Sequence, residues 1–293
     1  MSDARRQYAL IAGSGFRDFG GDSQGREIDT AFGSPSGPIR VLEYDDQSVF
    51  LLPRHGDDLR IPPHRINYRA NMAALRSLGV DAVIAVNTVG VIHGELHPGQ
   101  IAIPAQLIDY TSGRAHSIYE GDTAIDHIDF TRPFTEDLRR ALLTAASEAG
   151  VDIHDGGVYA VTQGPRLETA AEVDRLERDG ADFIGMTAMP EAKLAREAEL
   201  PYALIGMVTD YDCWREDEAH VEVDAVLAQL SANAATAREL VTQLAALLPP
   251  QRTPSPIDTV LDQALITHIS HVDRAKAESL GPIVSRVLAG RGG

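Results

Sequence analysis

The chain has 293 residues, of which 44% are hydrophobic and 24% charged, the make-up of a folded globular protein. Its 26 Lys and Arg against 43 Asp and Glu leave a formal net charge of −17, which argues against a nucleic-acid partner. A small anion such as phosphate is still allowed, because a few local donors outweigh a field screened over roughly 10 Å. Residues 8–12 read as a buried strand ending in Gly13-Ser14-Gly15, and 48–52 as a second ending in Pro53-Arg54-His55-Gly56. The spacing predicts a helix over 67–78 closed by Gly79, then a buried strand over 82–87 followed by Thr88-Val89-Gly90. A strand over 100–108 is interrupted by Pro104, and a helix over 135–149 ends at Gly150. Next come a strand over 157–162, a helix over 169–179, a short strand over 183–186 and a helix over 190–199. A strand over 202–208 ends in Thr209-Asp210, and a long helix over 220–248 carries Val223, Val226, Leu227 and Leu230 on one face.

This alternation predicts an α/β domain with a mixed or parallel central sheet. The Pro-rich break from Leu248 to Pro256 separates a domain over 1–248 from a linker and C-terminal helical tail over 249–293. That tail is too short to fold alone and is expected to pack on the body or on a neighbouring subunit. No run approaches the roughly 20 apolar residues that span a bilayer. The start of the chain is too polar, and its first apolar stretch too short, for a secretory signal, so no membrane partner and a cytoplasmic location are expected. The single cysteine, Cys213, excludes an internal disulfide and Cys-based zinc or iron–sulfur sites.

In such sheets ligands bind beyond the carboxyl ends of the strands. Ser14, Arg54, His55, Asn87, Thr88, Thr187 and Asp210 all stand there and are expected to converge. Gly13-Ser14-Gly15 fails the dinucleotide fingerprint, whose third glycine would fall at Asp18; an anion-holding turn and a plain tight turn both remain open. Arg54-His55 offers a cation able to grip phosphate with two prongs and a titratable donor, against the alternative of a surface Arg beside a packed His. His93, Glu95 and His97 have a ligand-like spacing, but Gly94 and Pro98 indicate a loop, so no metal site is assigned. Cys213 lacks a Cys-His-Asn setting and reads as a structural thiol. Asp210 and Asp212, at a strand end, suit a cation, a nitrogen base or a helix N-cap.

Seven segments together resemble the phosphorolytic nucleoside phosphorylases, in the trimeric 5′-methylthioadenosine phosphorylase branch. They are residues 11–15, 53–56, 63–71, 107–114, 163–166, 186–191 and 209–214, which include Pro53-Arg54-His55-Gly56, Met186-Thr187-Ala188-Met189-Pro190-Glu191 and Thr209-Asp210-Tyr211-Asp212-Cys213-Trp214. The resemblance implies a single-domain mixed, partly barrel-like sheet flanked by helices. It implies cleavage of a purine nucleoside by inorganic phosphate without metal or organic cofactor, and a homotrimer or dimer of trimers. Phosphate would be held by Ser14, Arg54, His55, the Thr88 backbone and Thr187, with Asn87 where the family usually has Thr. Met186 would lie against the ribose and Leu167 at the base. Thr209, Asp210 and Asp212 form the 6-aminopurine signature, the two acids meeting N7 and N6. His127 would come from a neighbouring subunit to the 5′ group, where Val223, Val226 and Leu227 form an apolar wall.

One position points the other way. Glu168 stands where 6-oxopurine enzymes use an acceptor for N1–H, and parts of the middle of the chain resemble bacterial methylthioinosine phosphorylases. Asp210 faces the leaving base in either case. The expected reaction is therefore phosphorolysis of 5′-deoxy-5′-methylthioadenosine, with methylthioinosine or another 6-oxopurine nucleoside as the alternative. A nucleoside hydrolase would need no anion cradle, and a non-catalytic sensor would not need Asp210 together with the phosphate donors.

Overall fold

Unbroken apolar runs become the strands of one mixed sheet, and the amphipathic segments between them become the helices that cover it. The computed structural model describes residues 7–13, 25–44, 47–92, 96–120, 124–212, 223–247, 252–272, 275 and 286–287; side chains of 43, 44, 47, 223–232 and 269 are outside the description. The strands are β1 (Gln7–Ala12), β2 (Arg40–Tyr44), β3 (Gln47–Pro53), β4 (Ala82–Val91), β5 (Ile101–Ile103), β6 (Gln106–Asp109), β7 (Ile153–Asp155), β8 (Val158–Val161), β9 (Phe183–Gly185) and β10 (Tyr202–Asp210). Their order is β2-β3-β1-β4-β10-β5-β7, with β6, β8 and β9 joined as a branch onto β4.

The fork at β4 makes the architecture. Its first residues, Ala82 to Val86, pair in parallel with β1, while Gly90 and Val91 pair with β9. β10 follows the other edge of β4 through both halves. β4 runs beyond the expected strand over 82–87: Thr88 to Gly90 pair with β10, Gly90 and Val91 pair with β9, and Val89 and Val91 are buried in the core.

Both faces of the central strands are buried, and alternate residues enter different cores. On β1, Ala9 and Ile11 join the layer built with α1 (Tyr68–Ser77) and α4 (Ala188–Glu197). Tyr8, Leu10 and Ala12 join the layer built with α2 (Glu136–Ala149) and α5 (Val223–Leu247). α3 (Ala170–Arg178) closes a smaller core over β8 and β9, and starts on a capping box in which Thr169 and Glu172 satisfy each other's backbone N–H groups.

Three features add detail to the sequence pattern. β2 is an edge strand with only a short apolar signal, held by antiparallel pairing with β3. Pro104 splits the expected strand over 100–108 into β5 and β6, which pair with different partners. The described tail holds short helical turns at Pro256–Thr259 and Ile269–His271 and one four-residue helix, α6 (Leu261–Ala264). It docks on the body: Leu261 is fully buried, Arg286 pairs with the buried Glu199, and Ile266 N–H donates to Ile125 C=O at 2.8 Å.

Candidate active site

β1, β3, β4 and β10 run parallel, so their carboxyl ends open on one side, at the fork where β9 replaces β1 beside β4. Register places Ala12 beside both Pro53 and Val86, so Gly13, Arg54 and Asn87 emerge side by side. Gly13 must be glycine: a Cβ there would sit 2.8 Å from Val86 C=O and 2.9 Å from Arg54 Nη1.

Arg54 is buried. Its Nε donates to Glu191 Oε2 at 2.7 Å, Nη2 to Glu191 Oε1 at 2.8 Å and to Ile11 C=O at 3.4 Å, and Nη1 to Val86 C=O at 3.0 Å. Four of its five N–H bonds are therefore committed among the described residues. This corrects the expected two-pronged grip on phosphate: as it stands, Arg54 has a single N–H to spare, on Nη1. His55 Nδ1 lies 2.8 Å from Ile61 C=O, which can only accept, so Nδ1 carries the hydrogen. Burial, reinforced by the neighbouring Arg54 charge, pushes the His55 pKa down.

Asn87 Nδ2 donates to Thr187 Oγ1 at 2.9 Å and to Tyr159 Oη at 3.4 Å. Having accepted that bond, the Thr187 hydroxyl keeps its own hydrogen for another acceptor. Asn87 Oδ1 is buried and unpartnered among the described residues, as a group waiting for a ligand donor would be.

The other end of the site depends on a bulge. β10 pairs Met207 with Thr88 and Val208 with Val89, then skips Thr209 and pairs Asp210 with Gly90. The extra residue re-aims the strand end. Asp210 Oδ2 accepts from the Thr209 hydroxyl at 2.7 Å, and Oδ1 accepts from Asp212 N–H at 2.9 Å. A Cβ on Gly90 would lie 3.0 Å from Asp210 Oδ1 and 3.5 Å from Asp212 Oδ2, so the two carboxylates come together over this glycine.

These groups line one cavity of about 550 Å³. It gathers Arg54, His55, Asn87, Thr88, Leu167, Glu168, Met186, Thr187, Thr209, Asp210 and Asp212. Glu168 also borders a second cavity of about 430 Å³; burial pushes its pKa up, partly offset by a hydrogen bond with Thr162. Ser14, His93, Glu95 and Cys213 lie outside the described residues, as do the side chains of Val223, Val226 and Leu227, whose backbone forms the first turns of α5. His127 does not line this cavity; it is exposed, with its N–H donated to Ala264 C=O of the tail. His97 bonds Tyr211 Oη through Nδ1 at 2.7 Å, and no metal-holding cluster of three acidic, His or Cys groups occurs among the described residues.

Sequence reasoning gave no role to two buried residues that hold the site together. Arg114 donates to Met186 C=O at 2.9 Å and to Gln163 C=O at 2.8 Å, tying together two wall loops. Glu191 anchors Arg54 from 137 positions away. Both lie inside segments that carry the family resemblance, residues 107–114 and 186–191. The loop from Leu59 to Pro63 also lines the cavity, and sequence reasoning assigned it no role.

A profile of the phosphorylase superfamily matches residues 7–246. The chain is 48% identical over 206 residues to a probable S-methyl-5′-thioinosine phosphorylase of Pseudomonas syringae pv. tomato, covering 69% of this chain and 84% of that protein. It is 41% identical over 260 residues to an S-methyl-5′-thioadenosine phosphorylase of Chloroflexus aurantiacus, covering 88% and 90%. A crystal structure of a methylthioadenosine phosphorylase sourced from an antarctic soil metagenomic library matches with a TM-score of 0.89 at 34% identity, over 96% of this chain and 99% of that one. The profile match runs from the first residue of β1 nearly to the end of α5 and takes in every strand whose end opens on the cavity, so the chain belongs to the phosphorylase superfamily.

Proposed function

We propose that this protein cleaves 5′-deoxy-5′-methylthioadenosine with inorganic phosphate, releasing adenine and 5-methylthioribose 1-phosphate. The observation that carries the reading is that hydrogen-bond donors and a carboxylate pair line the same cavity. Asn87 and Gly90 are three residues apart on β4, about 10 Å at the rise of a strand. That span separates the Thr187 end from Asp210 and suits a ribosyl group lying between phosphate and base.

In the reaction the C1′–N9 bond breaks and its electron pair leaves with the purine, while a phosphate oxygen bonds to C1′. The departing base needs a proton or a strong hydrogen bond at N7, which Asp210 supports from beside it. The Thr187 hydroxyl and the Thr88 backbone hold the anion, whose charge offsets the cationic ribosyl centre. Asp210 and Asp212 as carboxylates accept from N6–H₂ and repel O6, which favours adenine over hypoxanthine. Phosphate is a co-substrate, and the reading requires no metal or organic cofactor. A homotrimer or dimer of trimers is part of the proposal. Its support is the exposed His127 beside Ile125 and Ile266, which are 59% and 60% exposed where the tail pairs with residues 125–127.

The test is base release from methylthioadenosine, methylthioinosine, adenosine and inosine, with and without phosphate. Release from methylthioadenosine that needs phosphate and yields a pentose 1-phosphate is expected. Equal release without phosphate would make the protein a hydrolase, and preference for methylthioinosine would overturn the choice of base. Sedimentation of the active species checks the assembly, and a fully active monomer would contradict it.

A further inference from the structure

Among the described residues, the cationic side chains that line the cavity are all compensated. Arg54 and Glu191 are 1% and 0% exposed and form a two-pronged pair. Glu191 Oε1 also accepts from the Tyr202 hydroxyl at 2.8 Å, so three donors satisfy both oxygens of a buried carboxylate. His55 is held toward the neutral form, and its Nδ1–H is spent on Ile61 C=O. Arg60 is exposed and paired with Asp58. Among the described residues, then, the donor end of the cavity carries no unpaired positive charge. An anion there is met by neutral hydrogen bonds and by one N–H of a guanidinium whose charge is already cancelled.

We propose that Glu191 is a positioning residue of the anion site: it cancels the charge of Arg54 and fixes its guanidinium, so that bound phosphate keeps its own charge for the ribosyl cation. This rests on the phosphorylase reading above. The placement of Glu191 fits the role. It stands in the first turn of α4, whose N-cap Thr187 lines the cavity, and it joins that helix to the end of β3 through Arg54 and to the start of β10 through Tyr202. An uncompensated guanidinium at the same place would bind phosphate more tightly. It would also draw on the negative charge that the transition state needs, and would hold the sugar phosphate product longer.

The test replaces the carboxylate by its isosteric amide. Glu191→Gln is expected to lower the phosphate KM by about tenfold or more, from the Coulomb energy of one added charge beside the anion at an effective dielectric of about 20. kcat should fall with it, and inorganic phosphate should raise Tm more in the variant than in the wild type, because the ligand now neutralises a buried charge. A lesion of packing alone would raise the phosphate KM and leave the phosphate-induced Tm increment unchanged; either result overturns the role of Glu191.

A second pair of variants carries the test if Glu191→Gln does not fold. Phosphate binding is measured by calorimetry for Arg54→Met and for the double variant Arg54→Met/Glu191→Met. The double variant loses one hydrogen bond and is expected to weaken phosphate by about tenfold. The single variant leaves a bare buried carboxylate facing the anion and is expected to weaken it by roughly a thousandfold. Equal losses in the two would overturn the proposal. Base release by the wild type that ignores phosphate would overturn the phosphorylase reading itself, a separate outcome.

Discussion

Replacing Asp210 by Asn probes the base end of the cavity with little cost to the fold. The carboxylate makes two bonds, from the Thr209 hydroxyl at 2.7 Å and from Asp212 N–H at 2.9 Å. An amide fits both if its oxygen faces Asp212 N–H and its NH₂ faces Thr209. The Thr209 hydroxyl then accepts from the amide and turns its own hydrogen to Val89 C=O, already 3.4 Å away. Stability should therefore change by less than about 1 kcal/mol. What is lost is a unit of negative charge beside the departing base, together with an acceptor for a purine N–H. A hydrogen bond to a charged group is worth about 1.5–3 kcal/mol, and proton transfer to a leaving group about 10²–10⁴ in rate. We expect kcat/KM for methylthioadenosine to fall by about 10²–10³ at saturating phosphate. Methylthioinosine should lose far less, because the new amide can donate to O6. The assay is the ratio of kcat/KM for the two nucleosides, with an unfolding curve as control. A well-folded variant that loses both substrates equally, or neither, would show that Asp210 does not read or activate the base.

Four further outcomes are expected. Glu168→Ser should act in the opposite sense, lowering kcat/KM for methylthioinosine while sparing methylthioadenosine. Because burial raises the Glu168 pKa, wild-type activity on the oxopurine should fail first as pH drops, and pH–rate profiles for the two bases that coincide would contradict this. Burial, with the nearby Asp126 charge adding to it, pushes the Glu197 pKa up to about 7 despite its pairing with Lys193. A raised carboxyl pKa favours the folded state below the unfolded value near 4.5, and that contribution disappears as pH rises through about 7. Resistance of the wild type to urea should therefore fall from pH 5 to 8, more steeply than in Glu197→Gln; parallel slopes would remove Glu197 as the cause. Gly185→Ala should destabilise by about 1–3 kcal/mol, since its Cβ would stand 2.1 Å from Oη of the buried Tyr159 at a strand-paired position; an unchanged denaturation midpoint would show that Tyr159 moves freely.

Much of the scaffold is legible in the chain because burial on both faces of a strand demands continuous apolar residues. Residues 8–12, 82–87 and 202–208 therefore declare β1, β4 and β10 without knowledge of their partners. The polar residues that follow such runs, Arg54, Asn87, Thr187 and Asp210 among them, were open to the same logic, since strand ends in one sheet face one crevice. Composition alone also set the charge of the chain and, with one cysteine, ruled out an internal disulfide and metal sites built from several cysteines. The tertiary structure decided which bonds those side chains make. The fork of β4, the bulge that turns Asp210 over Gly90 and the capture of Arg54 by Glu191 each depend on the register of strands or on contacts between distant segments. A local pattern can state that a guanidinium stands at a strand end. Whether its charge is free or cancelled is settled by a carboxylate 137 residues away, which only packing brings within 2.7 Å.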